Sequence, residues 1–227
     1  MPDLVVIVPS RQRPEAAREL AEAFVETCTA DTALVVVVDD DDPTREQYGD
    51  GVLVGAHTSM VDALNKTAVG FANLGEGLRP FAIGFMGDDH RPRTVGWDKR
   101  YLDVLREYGS IGFVFGNDLI QRKRLPTQIA MTTDVVRTLG YMSPPELRHL
   151  FVDNSWLRWG NGLGRLRYLR EVIVEHCHPI AGTNVWDEGY RRVNGAEMAN
   201  HDRAAFDEYV RTRLDEDIAK LRAAVCE

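Results

Sequence analysis

Short runs of β-branched residues recur along the first half of this chain, and each is followed by residues spaced for a helix. Leu4 to Val8 reads LVVIV and Leu34 to Val38 reads LVVVV. Neighbouring side chains of a strand point to opposite sides of the sheet, so an unbroken apolar run demands burial on both faces. Pro9 and Ser10 end the first run. Pro14 then opens a helix at a position where a missing N–H costs nothing, with Ala17, Leu20, Phe24 and Cys28 along one face. Gly51 to Val54 is a shorter strand candidate. Val61, Leu64, Ala68 and Phe71 keep helical spacing, Phe81 to Met86 (FAIGFM) reads as a core strand, and Trp97, Tyr101, Leu105 and Tyr108 mark a helix before Ile111 to Phe115 (IGFVF). This alternation predicts an α/β fold, Rossmann-like, with a mainly parallel sheet flanked by helices.

The second half is less regular. Gln128 to Met131 reads as a strand, Asp153 to Trp159 as a short helix, and Glu171 to Glu175 as a strand running into His176-Cys177-His178-Pro179. From Asp202 onward, Phe206, Val210, Leu214, Ile218, Leu221 and Val225 keep the spacing of one long amphipathic helix. No repeat or linker interrupts the 227 residues. The expected organisation is a main body over 1–200 and a C-terminal helix over 201–227, packed on that body or on a partner, with a homodimer through the helix as one outcome.

Charge and hydropathy narrow the function classes. Lys and Arg number 27 against 35 Asp and Glu, a net charge of −8. That excludes a protein that wraps nucleic acid through bulk charge, but not one local basic face. No apolar run nears the roughly 20 residues that span a bilayer. Met1-Pro2-Asp3 lacks the basic and apolar regions of a signal peptide. Three cysteines without a C-x-x-C pair read as reduced thiols. The expectation is a cytoplasmic protein with no membrane partner.

In open α/β sheets, ligands bind beyond the carboxyl ends of the strands. Three of the strands end in polar clusters: Ser10-Arg11, the run Asp39-Asp40-Asp41-Asp42, and Gly87-Asp88-Asp89-His90. If those strands are parallel, the clusters share one rim. A carboxylate at a strand tip can accept hydrogen bonds from a nucleobase edge, although Asp-rich segments ending in Pro are also ordinary turns. Adjacent carboxylates suit Mg2+ or Mn2+, the ions that hold nucleotide phosphates, and equally serve as turn or cap residues. On an extended segment His176 and His178 point to one side, as a pair of metal ligands or as structural histidines.

Together these segments resemble the GT-A nucleotide-sugar glycosyltransferases, and are similar to glycosyltransferase family 2. VVIVPSRQRP resembles the first strand and its turn, VVVVDDDDP the second strand with its nucleotide-binding aspartate, and ALNKTAVGF followed by FMGDDHRP the Asn-bearing helix and the metal motif. FVDNSWLRWG stands where that family keeps its catalytic carboxylate, and EHCHP resembles its late histidine motif. The resemblance implies that Asp39 or Asp40 holds the donor base, with Ser10, Arg11, Asn65, Lys66 and Asp88 also on the donor. It implies that Asp89 binds Mn2+ or Mg2+ together with His178 or His176, and that Asp153 is the general base of an inverting transfer from a UDP- or GDP-sugar. The chain departs from the family in having Asp-Asp-His for a spaced D-x-D, D-D-D-D-P for D-D-G-S, and Val152 where an acid usually precedes the base.

Two other readings compete. A sugar-phosphate nucleotidyltransferase would carry a glycine-rich loop after the first strand, where this chain has Pro9-Ser10-Arg11-Gln12-Arg13-Pro14. A nucleotide-sugar-binding protein without turnover is the other. The acceptor is open: protein, glycan or a hydroxylated DNA base, the last as in phage-type transferases. Arg158, Arg165, Arg167 and Arg170 beside Trp156, Trp159 and Tyr168 make one basic, aromatic stretch that would fit a polyanionic acceptor. Arg122-Lys123-Arg124 makes another basic cluster.

Overall fold

The structure is a computed structural model and describes residues 1–177 and 195–225. Its strands are β1 (Leu4–Ser10), β2 (Thr32–Asp39), β3 (Leu53–Gly55), β4 (Ala82–Phe85), β5 (His90–Pro92), β6 (Phe113–Asn117), β7 (Ile129–Thr132) and β8 (Leu166–His176). They form one sheet in the order β3-β2-β1-β4-β7-β6-β8-β5. β1 is parallel to β2 and β4, β2 to β3, and β6 to β8, whereas β7 runs antiparallel between β4 and β6 and β5 antiparallel to β8. One reversed strand between β4 and β6 leaves those two pointing the same way. The carboxyl ends of β1, β2, β4, β6 and β8 therefore meet at one edge.

Seven helices flank the sheet among the described residues: α1 (Pro14–Thr27), α2 (Met60–Ala72), α3 (Trp97–Tyr108), α4 (Thr133–Leu139), α5 (Val152–Leu163), α6 (Ala196–Thr212) and α7 (Leu214–Val225). β1 shows why its sequence is an unbroken apolar run. Leu4, Val6 and Val8 pack with Leu20 and Phe24 of α1 and Trp97, Tyr101 and Leu105 of α3. Val5 and Ile7 pack on the opposite face with Leu64 of α2, Trp156 and Trp159 of α5, and Phe206 and Leu221 of α6 and α7. Both faces are layered with helices, as parallel strands require.

The C-terminal segment corrects the expectation of one long helix. The chain breaks at Arg213, whose backbone (φ −131°, ψ −22°) leaves the helical region. Its guanidinium lies over the rings of Tyr141 and Tyr209 and pairs with Glu146. α7 then restarts with Asp215, Glu216 and Asp217 in its first turn, where acids complement the helix dipole. The apolar spacing conceals this break because both helices bury their apolar faces against the same body. Phe206, Tyr209, Leu214 and Leu221 are all core residues, so the apolar face that the sequence offers to a partner is packed inside the chain. The two tryptophans of the basic stretch are core as well: Trp156 Nε1 donates to the Met142 carbonyl at 2.8 Å and Trp159 Nε1 to the Tyr209 hydroxyl at 2.7 Å.

Candidate active site

The shared strand edge opens into a cleft of about 980 Å³ lined by Ser10, Arg11, Arg13, Asp39, His57, Asp88, Asp89, His90, Thr127, Asp153 and His176. A smaller groove of about 480 Å³ between α1 and β2 has mostly apolar walls (Ala17, Phe24, Leu34 and Val36) and a single acid, Asp50. The strand-end acids and histidines line the larger cleft instead. Among the described residues, four non-glycine residues have left-handed backbones: Gln12, Leu119, Arg122 and Phe151. All four sit in the three loops around that cleft. Such conformations cost on the order of 1–3 kcal/mol each and persist where a site needs the loop shape.

On the β2 side, Asp39 is held from two directions. Arg11 Nη1 donates to Oδ2 at 2.8 Å, and His57 Nδ1 lies 3.0 Å from Oδ1. The His57 ring lies so close to the end of β3 that a Cβ on Gly55 would stand 2.9 Å from its Cε1 and Nε2. The other acids of the run do different work. Asp41 pairs with Arg11 at the surface. Asp42 is buried and accepts from the Gln12 and Thr44 N–H groups and the Thr44 hydroxyl, which fixes the β1–α1 loop. Asp40 is exposed and off the cleft lining. Arg11 thus neutralises Asp39 and Asp41 together, while Asp42 is held by neutral donors.

At the end of β4, Asp88 and Asp89 are both buried. Asp88 accepts from the Ser10 hydroxyl at 2.7 Å and pairs with Arg13 at 2.8 Å. Burial pushes its carboxyl up to about 6, with Arg13 opposing and Asp89 adding to the rise. Asp89 faces two imidazoles, with Oδ1 3.4 Å from His90 Nδ1 and Oδ2 3.3 Å from His176 Nε2. Burial would raise the Asp89 carboxyl, but the His176 and His90 imidazoles beside it, His176 foremost, hold it well below the usual carboxylate range. The two rings stack at 4.4 Å, a pairing produced by the register of β5 on β8, which sets His90 opposite His176. Burial and the charge of His176 keep His90 less basic than usual. Gly87 makes room for the group, since a Cβ there would meet Asp89 Oδ1 at 2.7 Å and His90 Nδ1 at 3.2 Å.

The donor atoms of Asp89, His90 and His176 lie within 4.8 Å of one another. One carboxylate oxygen and two imidazole nitrogens form a donor set that fits a divalent ion of the Mn2+ type. The outer contacts fit as well. The His90 Nε2 is 3.5 Å from the Thr127 hydroxyl, which donates to Asp118 Oδ2 at 2.9 Å. With the proton on Nε2, Nδ1 accepts the Gly87 N–H at 3.0 Å and donates nothing to Asp89, and an ion held at Nδ1 would take the place of that N–H bond. Metal-bound histidines are commonly oriented this way through their outer nitrogen.

Asp153 stands in the first turn of α5, below Phe151 rather than at the cap, so it is not the N-cap of that helix. Its Oδ1 accepts the Asn154 N–H at 2.8 Å. Burial pushes its carboxyl up to about 6, and Asp118 adds to the rise while the Asn154 N–H and His176 oppose it. The loop leading into α5 is clamped from the C-terminal segment. The buried Asp202 carboxylate of α6 accepts three successive backbone N–H groups, from Arg148, His149 and Leu150, and pairs with His201.

The structure brings Ser10, Arg11, Asp39, Asn65, Asp88, Asp89, Asp153 and His176 to one cleft. Asn65 reaches it with its amide already engaged, donating to the Ser143 carbonyl and accepting the Met142 and Ser143 N–H groups. Lys66 is exposed, pairs with Asp62 and bonds the Ala56 carbonyl. His178 lies outside the described residues. Sequence reasoning missed His90 as a ligand, His57 against Asp39, and Asp118 and Thr127 behind His90. The adjacency of His90 to Asp88-Asp89 was a usable signal; the other three are non-local pairings with no trace in spacing.

No protein-family model and no curated protein matches the chain. Solved structures do. S. aureus TarS 1–349 aligns with TM-score 0.54 and 15% identity over 96% of this chain and 80% of that one. The chain has the GT-A fold. The mannosyltransferase PcManGT from Pyrobaculum calidifontis, in complex with GDP-Man and Mn2+, aligns at TM-score 0.53 and 13% identity over 98% of this chain and 74% of that one. Glucosyl-3-phosphoglycerate synthase from Mycobacterium tuberculosis, with Mg2+ and UDP, aligns at TM-score 0.53 and 12% identity over 78% and 72%. Against a longer S. aureus TarS structure, the matched region spans 36% of that chain.

Proposed function

We propose that this chain is a glycosyltransferase that moves a sugar from a nucleoside-diphosphate donor to an acceptor hydroxyl with inversion. One observation carries the reading: an Asp-His-His cluster with Asp89 and His90 buried, and the partly buried Asp153 carboxyl raised to about 6, face the same cleft at the carboxyl edge of the sheet. The solved structures that share the fold and hold UDP, UDP-GlcNAc or GDP-Man support a donor of that class.

In this reading Asp39, fixed by Arg11 and His57, accepts from the donor base, and Ser10 and Asp88 stand beside the ribose and diphosphate. Asp89, His176 and His90 hold a divalent ion, which when bound offsets charge on the diphosphate leaving group. Two nitrogen donors favour Mn2+ over Mg2+, which prefers oxygen and water. Asp153 takes the proton of the acceptor hydroxyl. The acceptor oxygen bonds the anomeric carbon while that carbon's bond to the diphosphate oxygen breaks, and the nucleoside diphosphate leaves with the electron pair. Arg11 and Arg13 supply positive charge at the donor end of the cleft.

The test is a panel of UDP- and GDP-sugars with Mn2+ or Mg2+, following nucleoside diphosphate release. The expected result is release from one donor class, higher with Mn2+, abolished by chelator and by Asp89→Asn. Undiminished release in excess chelator would overturn the metal role. Binding of no nucleotide sugar at all would overturn the assignment.

A further inference from the structure

Beside the cleft, the loop between Asp118 and Thr127 carries Arg122, Lys123 and Arg124, and this turn packs against β6 and β8. Arg170 of β8 stands next to it, its carbonyl taking a hydrogen bond from Asn117 at the end of β6. All four side chains are exposed. Among the described residues Arg122, Lys123, Arg124 and Arg170 make no ion pair, although the chain carries eight more acids than bases. Tyr168, part-exposed, lies within electrostatic reach of Arg122 and Arg170 and of the acids Asp118 and Glu171.

This patch is built rather than incidental. Asp118 is buried, and its Oδ1 accepts the Ile120 and Arg122 N–H groups while its Oδ2 takes the Thr127 hydroxyl. The backbone is left-handed at both Leu119 and Arg122, a shape held at a cost. Arg124 folds back onto the Ile120 and Gln121 carbonyls. The remainder of the basic stretch along β8 is structural. Arg165 bonds the Ile111 and Tyr108 carbonyls and lies over the Tyr108 ring, and Arg167 reaches Tyr108 and Glu107. Unlike Arg165 and Arg167, Arg170 has no such partner among the described residues and stands with Arg122 and Lys123 beside the cleft.

We propose that Arg122, Lys123 and Arg170 bind a phosphodiester of the acceptor, so that the hydroxyl reaching Asp153 belongs to a phosphate-bearing polymer. The donor diphosphate has its own cations, Arg11 and Arg13, inside the cleft, whereas Arg122 and Arg170 lie outside its lining. Thr127 joins the two regions, since it lines the cleft and bonds Asp118. Guanidinium forks match phosphate geometry. Calling this ligand the acceptor rests on the glycosyltransferase reading; the phosphodiester site itself does not.

Protein saturated with UDP and Mn2+ is titrated with a fluorescent single-stranded DNA ten-mer, with poly(glycerol phosphate) of the same phosphate number, and with polyglutamate of the same charge. A phosphodiester probe is expected to bind at least about tenfold tighter than polyglutamate. Which of the two binds tells nucleic acid from polyol phosphate. Arg122→Gln/Lys123→Gln/Arg170→Gln should weaken that probe at least about tenfold and lower the log–log salt slope by about 2, with an unchanged circular dichroism spectrum. Equal binding of polyglutamate, or a variant that binds like wild type, would overturn the site. If UDP with Mn2+ does not bind but the probe and its loss in the variant persist, the phosphodiester site stands and the glycosyltransferase reading falls.

Discussion

Burial holds the Asp153 carboxyl at about 6, and two measurable consequences follow in opposite directions. As a base it works only when ionised, so kcat should rise with pH through about 6 and level off above it. Its folded value lies above its ordinary 3.8, so the unfolded chain releases this proton first and stability declines as pH rises between the two values. Asp153→Asn keeps an oxygen for the Asn154 N–H and removes the charge. It should lower kcat by roughly 10²–10⁴, leave UDP affinity within about twofold, and raise stability at neutral pH by on the order of 2 kcal/mol. A chemical denaturation curve beside the rate measurement checks both; kcat near wild type would remove Asp153 as base. At Gly87 the constraint is space. Gly87→Ala sets a methyl 2.7 Å from Asp89 Oδ1, so Mn2+ affinity, read by calorimetry, should fall about tenfold or more while the fold is retained.

The elements place these groups by strand register and by a clamp from the far end of the chain. β5 on β8 stacks His90 on His176, and α6 lends Asp202 to the loop ahead of α5. Asp202→Ala orphans three N–H groups and should cost about 3 kcal/mol, measured by urea unfolding at neutral pH. Its carboxyl is held below the usual range: burial would raise it, but His201 and the three N–H groups outweigh that. The stabilisation is therefore complete above the unfolded carboxylate pKa and is lost as pH falls through the lower folded value. The difference between wild type and Asp202→Ala should shrink below about pH 4. A constant difference down to pH 2 would show that the residue acts through packing alone.

For the molecule as a whole, the C-terminal helices are part of the core rather than an appendage. Phe206, Tyr209, Leu214 and Leu221 are buried with α2, α4 and α5. At about 1.5–3 kcal/mol each, four such side chains together match the whole stability of an ordinary domain. A chain ending at residue 200 should therefore show no cooperative thermal transition; a sharp one would mean that the body folds alone. The α/β layering was legible in residues 4–115, because burial on both faces of a parallel strand leaves unbroken runs such as Leu34 to Val38. The strand-end acids were legible too, since parallel strands direct their carboxyl ends to one edge. The division of labour among Asp39, Asp40, Asp41 and Asp42 was not, because four identical side chains differ only in which partners fold against them. The break at Arg213 was hidden for a related reason, as two helices facing one core keep a single apolar period. Local sequence determined where chain segments are strand, helix and rim, through periodicity and turn chemistry. Only the tertiary structure decided that His90 meets His176 and that Asp202 holds the loop before Asp153. Those pairings join residues more than fifty positions apart, and spacing along a chain carries no record of such contacts.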